Sequence, residues 1–419
     1  MIAPPSLEPL FPKEHRMPND RPLYYFDNSA LELVKLDITL EAGSAYQQKK
    51  SLAHAANQLF GEASAGHASH EVADFMDFRG IVVERMTDVC MGNISYYFLR
   101  RYAAELFPLL RELFDAPAFT EQMFEAYRGK RRQMLSQGFQ KTSYVARNKH
   151  YELLYGTQHP LGTYAQPEDL DRLTMADVAD FQRQHYRLAD AHIVVSGHVD
   201  DELLALADRY LSVPTNSEAA PSRIVLPSPM PAVAQGPHHI VVPNAVQSTI
   251  RIGRILPFGW DDPRYSRFMV LSTVLGGYFG SRLMTNIRED KGYTYGIYSQ
   301  TQVFRGSIVF FIVADVAAEA TQAAVDEVFN EIRQLQGEPV GGEEMERVRN
   351  FMMGDFIRSI DGSFEQSERY RQMTSTNVTE QFSANLIDAI QTTTPAEVQS
   401  LAQQLLSDLF VVTAGPSLD

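Results

Sequence analysis

The chain has 419 residues, 44% hydrophobic and 21% charged. That composition excludes disordered and collagen-like classes and suits two or three domains with sizeable cores. Lys and Arg number 37 against 52 Asp and Glu, a net charge of −15, which argues against a nucleic-acid-coating surface. The single cysteine, Cys90, rules out an internal disulfide framework and a Cys-based structural zinc site. The opening stretch MIAPPSLEPLFPKEHRMPND lacks the apolar core of a signal peptide, and no run of 18 apolar residues follows it. The expectation is a soluble, cytoplasmic protein without membrane contact.

In chain order, LVKLDITLEAG (Leu33 to Gly43) alternates like a half-buried strand, and KKSLAHAANQLFGEAS then has helical spacing. GIVVERMTDV and GNISYYFL read as strands bracketing a turn at Gly92-Asn93, and YAAELFPLLRELFDAP as an amphipathic helix. LTMADVADFQRQHYRLADAHIVVSGHV closes the half with a Thr-capped helix leading into a buried strand. The second half repeats the pattern. QSTIRIGRIL is the strand and SRFMVLSTVLGG the helix; GYTYGIYSQTQVF and GSIVFFIVAD pair as strands, and EATQAAVDEVFNEIRQLQ is the amphipathic helix. TTPAEVQSLAQQLLSDLFVVTAGP closes it.

Between the halves, Val213 to Pro237 carries six prolines and almost no periodicity, the signature of an extended linker. The predicted domains are therefore 1–212 and 238–419, joined by 213–237. Short hairpins among the alternating helices and strands favour α+β domains with mainly antiparallel sheets over a doubly wound parallel sheet.

The segment EAGSAYQQKKSLAHAANQLFGEAS resembles the zinc-helix signature of the pitrilysin/insulinase zinc peptidases. FDAPAFTEQMFEAYRGKRRQML, HPLGTYAQPEDLDRLTMADVADFQRQHY, IVVSGHV and LGGYFGSRLMTNIREDKGYTYGIYS follow in that family's order. The resemblance implies two homologous domains of the processing-peptidase-like metallohydrolase fold. It also implies a His-x-x-Glu-His helix, on which two imidazoles at i and i+4 hold one zinc ion and the Glu serves as general base. A second Glu, seventy to eighty residues on in the family, completes the ligand set.

The chain departs from that pattern wherever the metal needs it. His54 keeps the first ligand position, but Asn57 stands at the base and Gln58 at the second ligand. Neither neutral amide accepts a proton from water, and both are poor zinc ligands. No Asp or Glu lies between Glu125 and Glu152, the interval that holds both placements of the distal Glu, near Met134 or near Val145. The expectation is a chain with no metal and no cofactor of its own. His67 and His70, beside Glu71, offer a rearranged metal site as an alternative, but their order matches no zinc motif; solvated loop histidines are the simpler reading. The Gly-rich Leu275 to Leu283 lacks a following Gly-Lys-Ser/Thr and is not a phosphate loop. The basic run Arg128 to Arg132 reads as a solvated helix face.

In the second half, Arg288 and Tyr295 stand seven residues apart in IREDKGYTYG, at the spacing of a pair that in the resembled family reaches a zinc site across the chamber. Both are donors suited to a developing oxyanion; Tyr293 and Tyr298 compete for the phenol's role. The resemblance therefore implies a zinc-less subunit of a heterodimeric peptidase. Its Arg288 and Tyr295 would serve a zinc-bearing partner of the same family, acting on short or unfolded peptides. The alternatives are a non-enzymatic scaffold of the same fold and an active zinc peptidase with a rearranged site.

Overall fold

A computed structural model describes residues 11–214, 222–229 and 238–417. The N-terminal half runs β1 (Lys13–Arg16), β2 (Pro22–Asp27), β3 (Leu33–Leu40), α1 (Leu52–Leu59), β4 (Ala63–Ser64), α2 (Ser69–Phe78), β5 (Val82–Thr87) and β6 (Gly92–Leu99). It continues through α3 (Ala103–Asp115), β7 (Pro117–Ala118), α4 (Glu121–Phe139), α5 (Thr142–Tyr155), α6 (Met175–His185), β8 (His192–Gly197) and α7 (Asp201–Tyr210). The C-terminal half runs β9 (His238–Val241), β10 (Gln247–Ile255), α8 (Pro263–Ser272), β11 (Thr294–Phe304), β12 (Ser307–Ala317) and α9 (Thr321–Gly337). After these come α10 (Gly342–Arg358), α11 (Ser363–Thr376), α12 (Gln381–Thr392), α13 (Pro395–Leu405) and β13 (Phe410–Gly415).

The two main sheets have matching orders, β1-β2-β8-β3-β6-β5 and β9-β13-β10-β12-β11. In each, the half's last strand is antiparallel to a central strand on one side and parallel to an early strand on the other: β8 lies between β3 and β2, β13 between β10 and β9. The other strand pairs of the two sheets are antiparallel. The expected architecture, α+β with two like halves, is the one observed. Both closing helices carry the capping box legible in the sequence, Thr174 with Asp177 and Thr394 with Glu397.

Strand alternation divides each sheet into two buried faces. Val34, Leu36, Ile38 and Leu40 of β3 enter the N-terminal core, while Lys35, Asp37 and Thr39 face the other way and are buried too. That second face is covered by α11, a helix from the C-terminal half. Ser196 Oγ donates to Ser367 Oγ at 3.1 Å, and Tyr370 packs against Tyr24 and His192. The arrangement is reciprocal. Ile250 and Ile252 of β10 enter the C-terminal core, and α5 from the N-terminal half covers the opposite face. There Ala146 and Leu153 meet Val412 and Ala414, and Leu154 and Tyr155 meet Val309 and Phe311. Each half thus supplies one helix to the other's sheet.

Two local expectations are corrected. The turn between β5 and β6 is not Gly92-Asn93 but Asp88 to Met91, where the Asp88 carboxylate accepts from the Cys90 and Met91 amides at 2.6 Å each. Gly92 already lies in β6, where a Cβ would come within 2.7 Å of the Tyr186 hydroxyl. The helix at KKSLAHAANQLFGEAS is only eight residues long; Phe60 is extended and Gly61 has φ +72°. Most of the expected linker, together with residues 1–10, lies outside the described residues; 222–229 contains no helix or strand.

Candidate functional site

α1 carries the three motif positions but does not converge them. His54 and Gln58, four residues apart, share the half-buried side of the helix, whereas Asn57 is wholly buried. Asn57 Nδ2 donates to the Asn93 carbonyl at 3.3 Å, and Gln58 Nε2 reaches the Arg85 carbonyl at 3.5 Å. His54 Nδ1 instead meets the Tyr127 hydroxyl at 2.9 Å. Burial, helped by the positive charge of Arg131, pushes the His54 imidazole down to about 3, so it is neutral at physiological pH.

The counting that put a distal ligand near Met134 or Val145 is not matched by the packing. Met134 is exposed on α4, and Val145 on α5 packs against the C-terminal sheet. The α4 residues beside His54 are Tyr127 and Arg131, one helical turn apart. The basic run is accordingly divided: Arg128 and Arg132 pair with Asp171 on the surface, whereas Arg131 turns inward beside His54. A guanidinium next to the one retained imidazole and two amides engaged elsewhere do not fit a zinc ion. Among the described residues, no group of three or more His, Cys, Asp or Glu is arranged to hold a metal.

His67 and His70 are both exposed. His67 Nδ1 lies 2.9 Å from Glu112 Oε1, and Glu112 also accepts from Ser64, which holds its carboxyl below the usual range. His70 lies in the first turn of α2.

Arg288 and Tyr295 sit at one end of the C-terminal sheet. Arg288 belongs to a wide-turned segment, Met284–Asp290, whose end is closed by Lys291 N donating to the Asn286 carbonyl five residues back. Gly292, at φ +67°, releases the chain into the edge strand β11. A bulge follows: the register shifts between Thr294 and Ile297, and Thr294 Oγ1 donates to the Asp315 carbonyl at 2.6 Å. The bulge turns Tyr295 out to 98% exposure. The Arg288 guanidinium lies over the exposed Phe279 ring, 4.6 Å from its centre, a contact that sequence reasoning did not single out. Of the competing phenols, Tyr293 packs on the C-terminal core, whereas Tyr298 is exposed.

The two clusters lie apart within the chain. Gln302 of β11 accepts from Tyr151, a residue beside His54, at 2.6 Å. Tyr295 is seven residues away along the same strand, roughly 23 Å at about 3.3 Å per residue.

Residues 172–352 match the family described as "Peptidase M16 inactive domain". A protein described as "Non-peptidase homolog YmxG" from Helicobacter pylori is 23% identical over 286 residues, 66% of this chain and 64% of that one. "Uncharacterized zinc protease YmxG" from Bacillus subtilis is 28% identical over 101 residues, 24% of this chain. The matches span only 64% and 25% of those relatives' own lengths. The crystal structure of a peptidase M16 inactive domain from Pseudomonas fluorescens superposes with a TM-score of 0.83 at 19% identity, covering 97% of this chain and 98% of that one. With the duplicated architecture and the altered metal helix, these likenesses support an inactive member of the peptidase M16 family.

Proposed function

We propose that the chain is the zinc-less subunit of a two-chain peptidase, lending Arg288 and Tyr295 to a zinc-bearing partner of the same family. The observation that carries this reading is the state of the pair. Tyr295 is 98% exposed on a bulged edge strand, and the neighbouring Arg288 has no ion pair among the described residues. An exposed phenol and a guanidinium without a carboxylate are free to donate to a ligand outside the chain. Neither Arg288 nor Tyr295 lines the cavity that holds His54.

In this role the guanidinium and the phenol would donate to the oxygen that gains charge when the partner hydrolyses a peptide bond. Each such donor is worth on the order of a hundredfold in rate. The test is to assay the chain mixed with a zinc-bearing partner. Hydrolysis should require both chains, and Arg288→Ala or Tyr295→Phe should lower kcat about a hundredfold with the complex intact by size-exclusion chromatography. Full activity in both variants would sink this role and leave the scaffold reading in its place.

A further inference from the structure

A cavity of about 320 Å³ lies between the start of α1, the middle of α4 and α5, in the range of small-ligand sites. Its wall includes Lys50, Ser51, His54, Asp88, Arg131 and Asn148. Three observations set it apart from an ordinary surface dent.

Ser51 is 4% exposed and Asn148 9%, yet Ser51 Oγ and Asn148 Nδ2 have no hydrogen-bond partner. Buried polar side chains without partners are rare in native folds and costly to keep. Ser51 is also the residue before α1, where a serine ordinarily adopts an extended backbone and caps the helix. Here it sits at φ +69° and makes no cap. Left-handed backbone at a non-glycine residue is strained and collects at ligand sites. Finally, Lys50 and Arg131 have no ion pair among the described residues, and Arg131 Nε is buried without an acceptor. Asp88 stands on the same wall, but one of its oxygens is held by the Cys90 and Met91 amides. Two cations against one carboxylate, with a neutral imidazole, leave a single net positive charge, suited to a monoanion rather than to a phosphate dianion.

We propose that this cavity is a carboxylate-binding site in which the Arg131 guanidinium occupies the region of the lost metal. Arg131 supplies a planar pair of donors matched to a carboxylate, with Asn148 Nδ2 and Ser51 Oγ as further partners. The carboxylate could belong to a peptide C-terminus or to a free small acid. This inference does not depend on Arg288 or Tyr295.

The experiment is calorimetric titration of the full chain with N-acetyl-dialanine, its C-terminal amide and acetate. Saturable binding of the peptide acid, with at least tenfold weaker binding of the amide and of acetate, supports the proposal with a peptide terminus as source. Acetate binding as tightly as the peptide acid supports it with a free acid as source. Arg131→Met should weaken the acid at least tenfold, Arg131→Lys should recover part of that loss, and Arg132→Met, on the surface next door, should change nothing. Circular dichroism would establish that each variant is folded. No saturable binding of either acid overturns the proposal, as does equal weakening by Arg131→Met and Arg132→Met.

Discussion

Arg305, at the tip of the β11–β12 hairpin, forms a bidentate pair with Glu41, both contacts 2.7 Å, across the junction between the two halves. The arginine side chain is 4% exposed and the glutamate's 20%. Arg305 Nε also donates to the Ser375 carbonyl at 2.8 Å, so one side chain ties the end of β3 to the helix α11 that covers it. Removing one member of a buried pair strands the other. Arg305→Met and Glu41→Gln should each cost about 3 kcal/mol in urea unfolding. The double variant should cost less than the sum of the two; strict additivity would show that the pair is not coupled.

Acid should destabilise this protein in a defined window. Burial, aided by a nearby arginine in each case, pushes His54 and His150 down to about 3 and His192 to about 4. Unfolded, each returns to about 6.5. The unfolded chain therefore binds more protons between those values, so stability is fully present above about pH 6.5 and falls as pH drops toward 3. Urea midpoints should be level from pH 7.5 to about 6.5 and fall from there to pH 4.5, with proton uptake on unfolding. The His54 ring resonances should not titrate above pH 4. A midpoint that is flat across that range would contradict the burial of these rings.

Much of the fold was legible because apolar residues alternate in β3, because β12 is a nearly continuous apolar run, and because Thr174 and Thr394 announce helix starts with an acid three residues on. The exchange of α5 and α11 was not legible. Helices covering a second sheet face keep polar residues such as Thr142, His150 and Ser367 buried, and such residues suggest exposure when read one helix at a time. At the site, the amides at 57 and 58 told their story directly. Arg131 did not, because a run of basic residues gives no sign of which one turns inward; only its i+4 relation to Tyr127 hinted at a shared face. The bulge that presents Tyr295 had a weak signal in Gly296, one residue later.

Function and stability should separate at the Arg288 cluster. The Tyr295 side chain is exposed, so Tyr295→Phe should shift unfolding by less than about 0.5 kcal/mol even if it abolishes the contribution to a partner. In the proposed role of Arg288, Phe279 would be a positioning residue: its ring lies under the guanidinium without being a donor itself. Phe279→Ala should lower the activity of a two-chain mixture about tenfold, with Phe279→Tyr close to the parent. A loss confined to KM, with kcat unchanged, would point to substrate contact instead.

Restoring the letters of the motif should not restore the metal. Asn57→Glu would bury a carboxylate beneath Gly92, where Asn57 Nδ2 now donates to the Asn93 carbonyl; the burial should cost at least about 2 kcal/mol. Gln58→His would return a second imidazole at i+4, but the site would still lack a third protein ligand, and Arg131 beside His54 would still repel a dication. The double variant, dialysed against zinc and assayed by atomic emission, should carry far less than one equivalent and melt below the parent. Adding Arg131→Glu removes the repelling charge and places an oxygen donor on the turn that faces His54. That triple variant is the first expected to retain zinc, because a catalytic-type site needs three protein ligands. Stoichiometric zinc already in the double variant would mean that Arg131 does not control the cavity, and would count against its part in holding a carboxylate there.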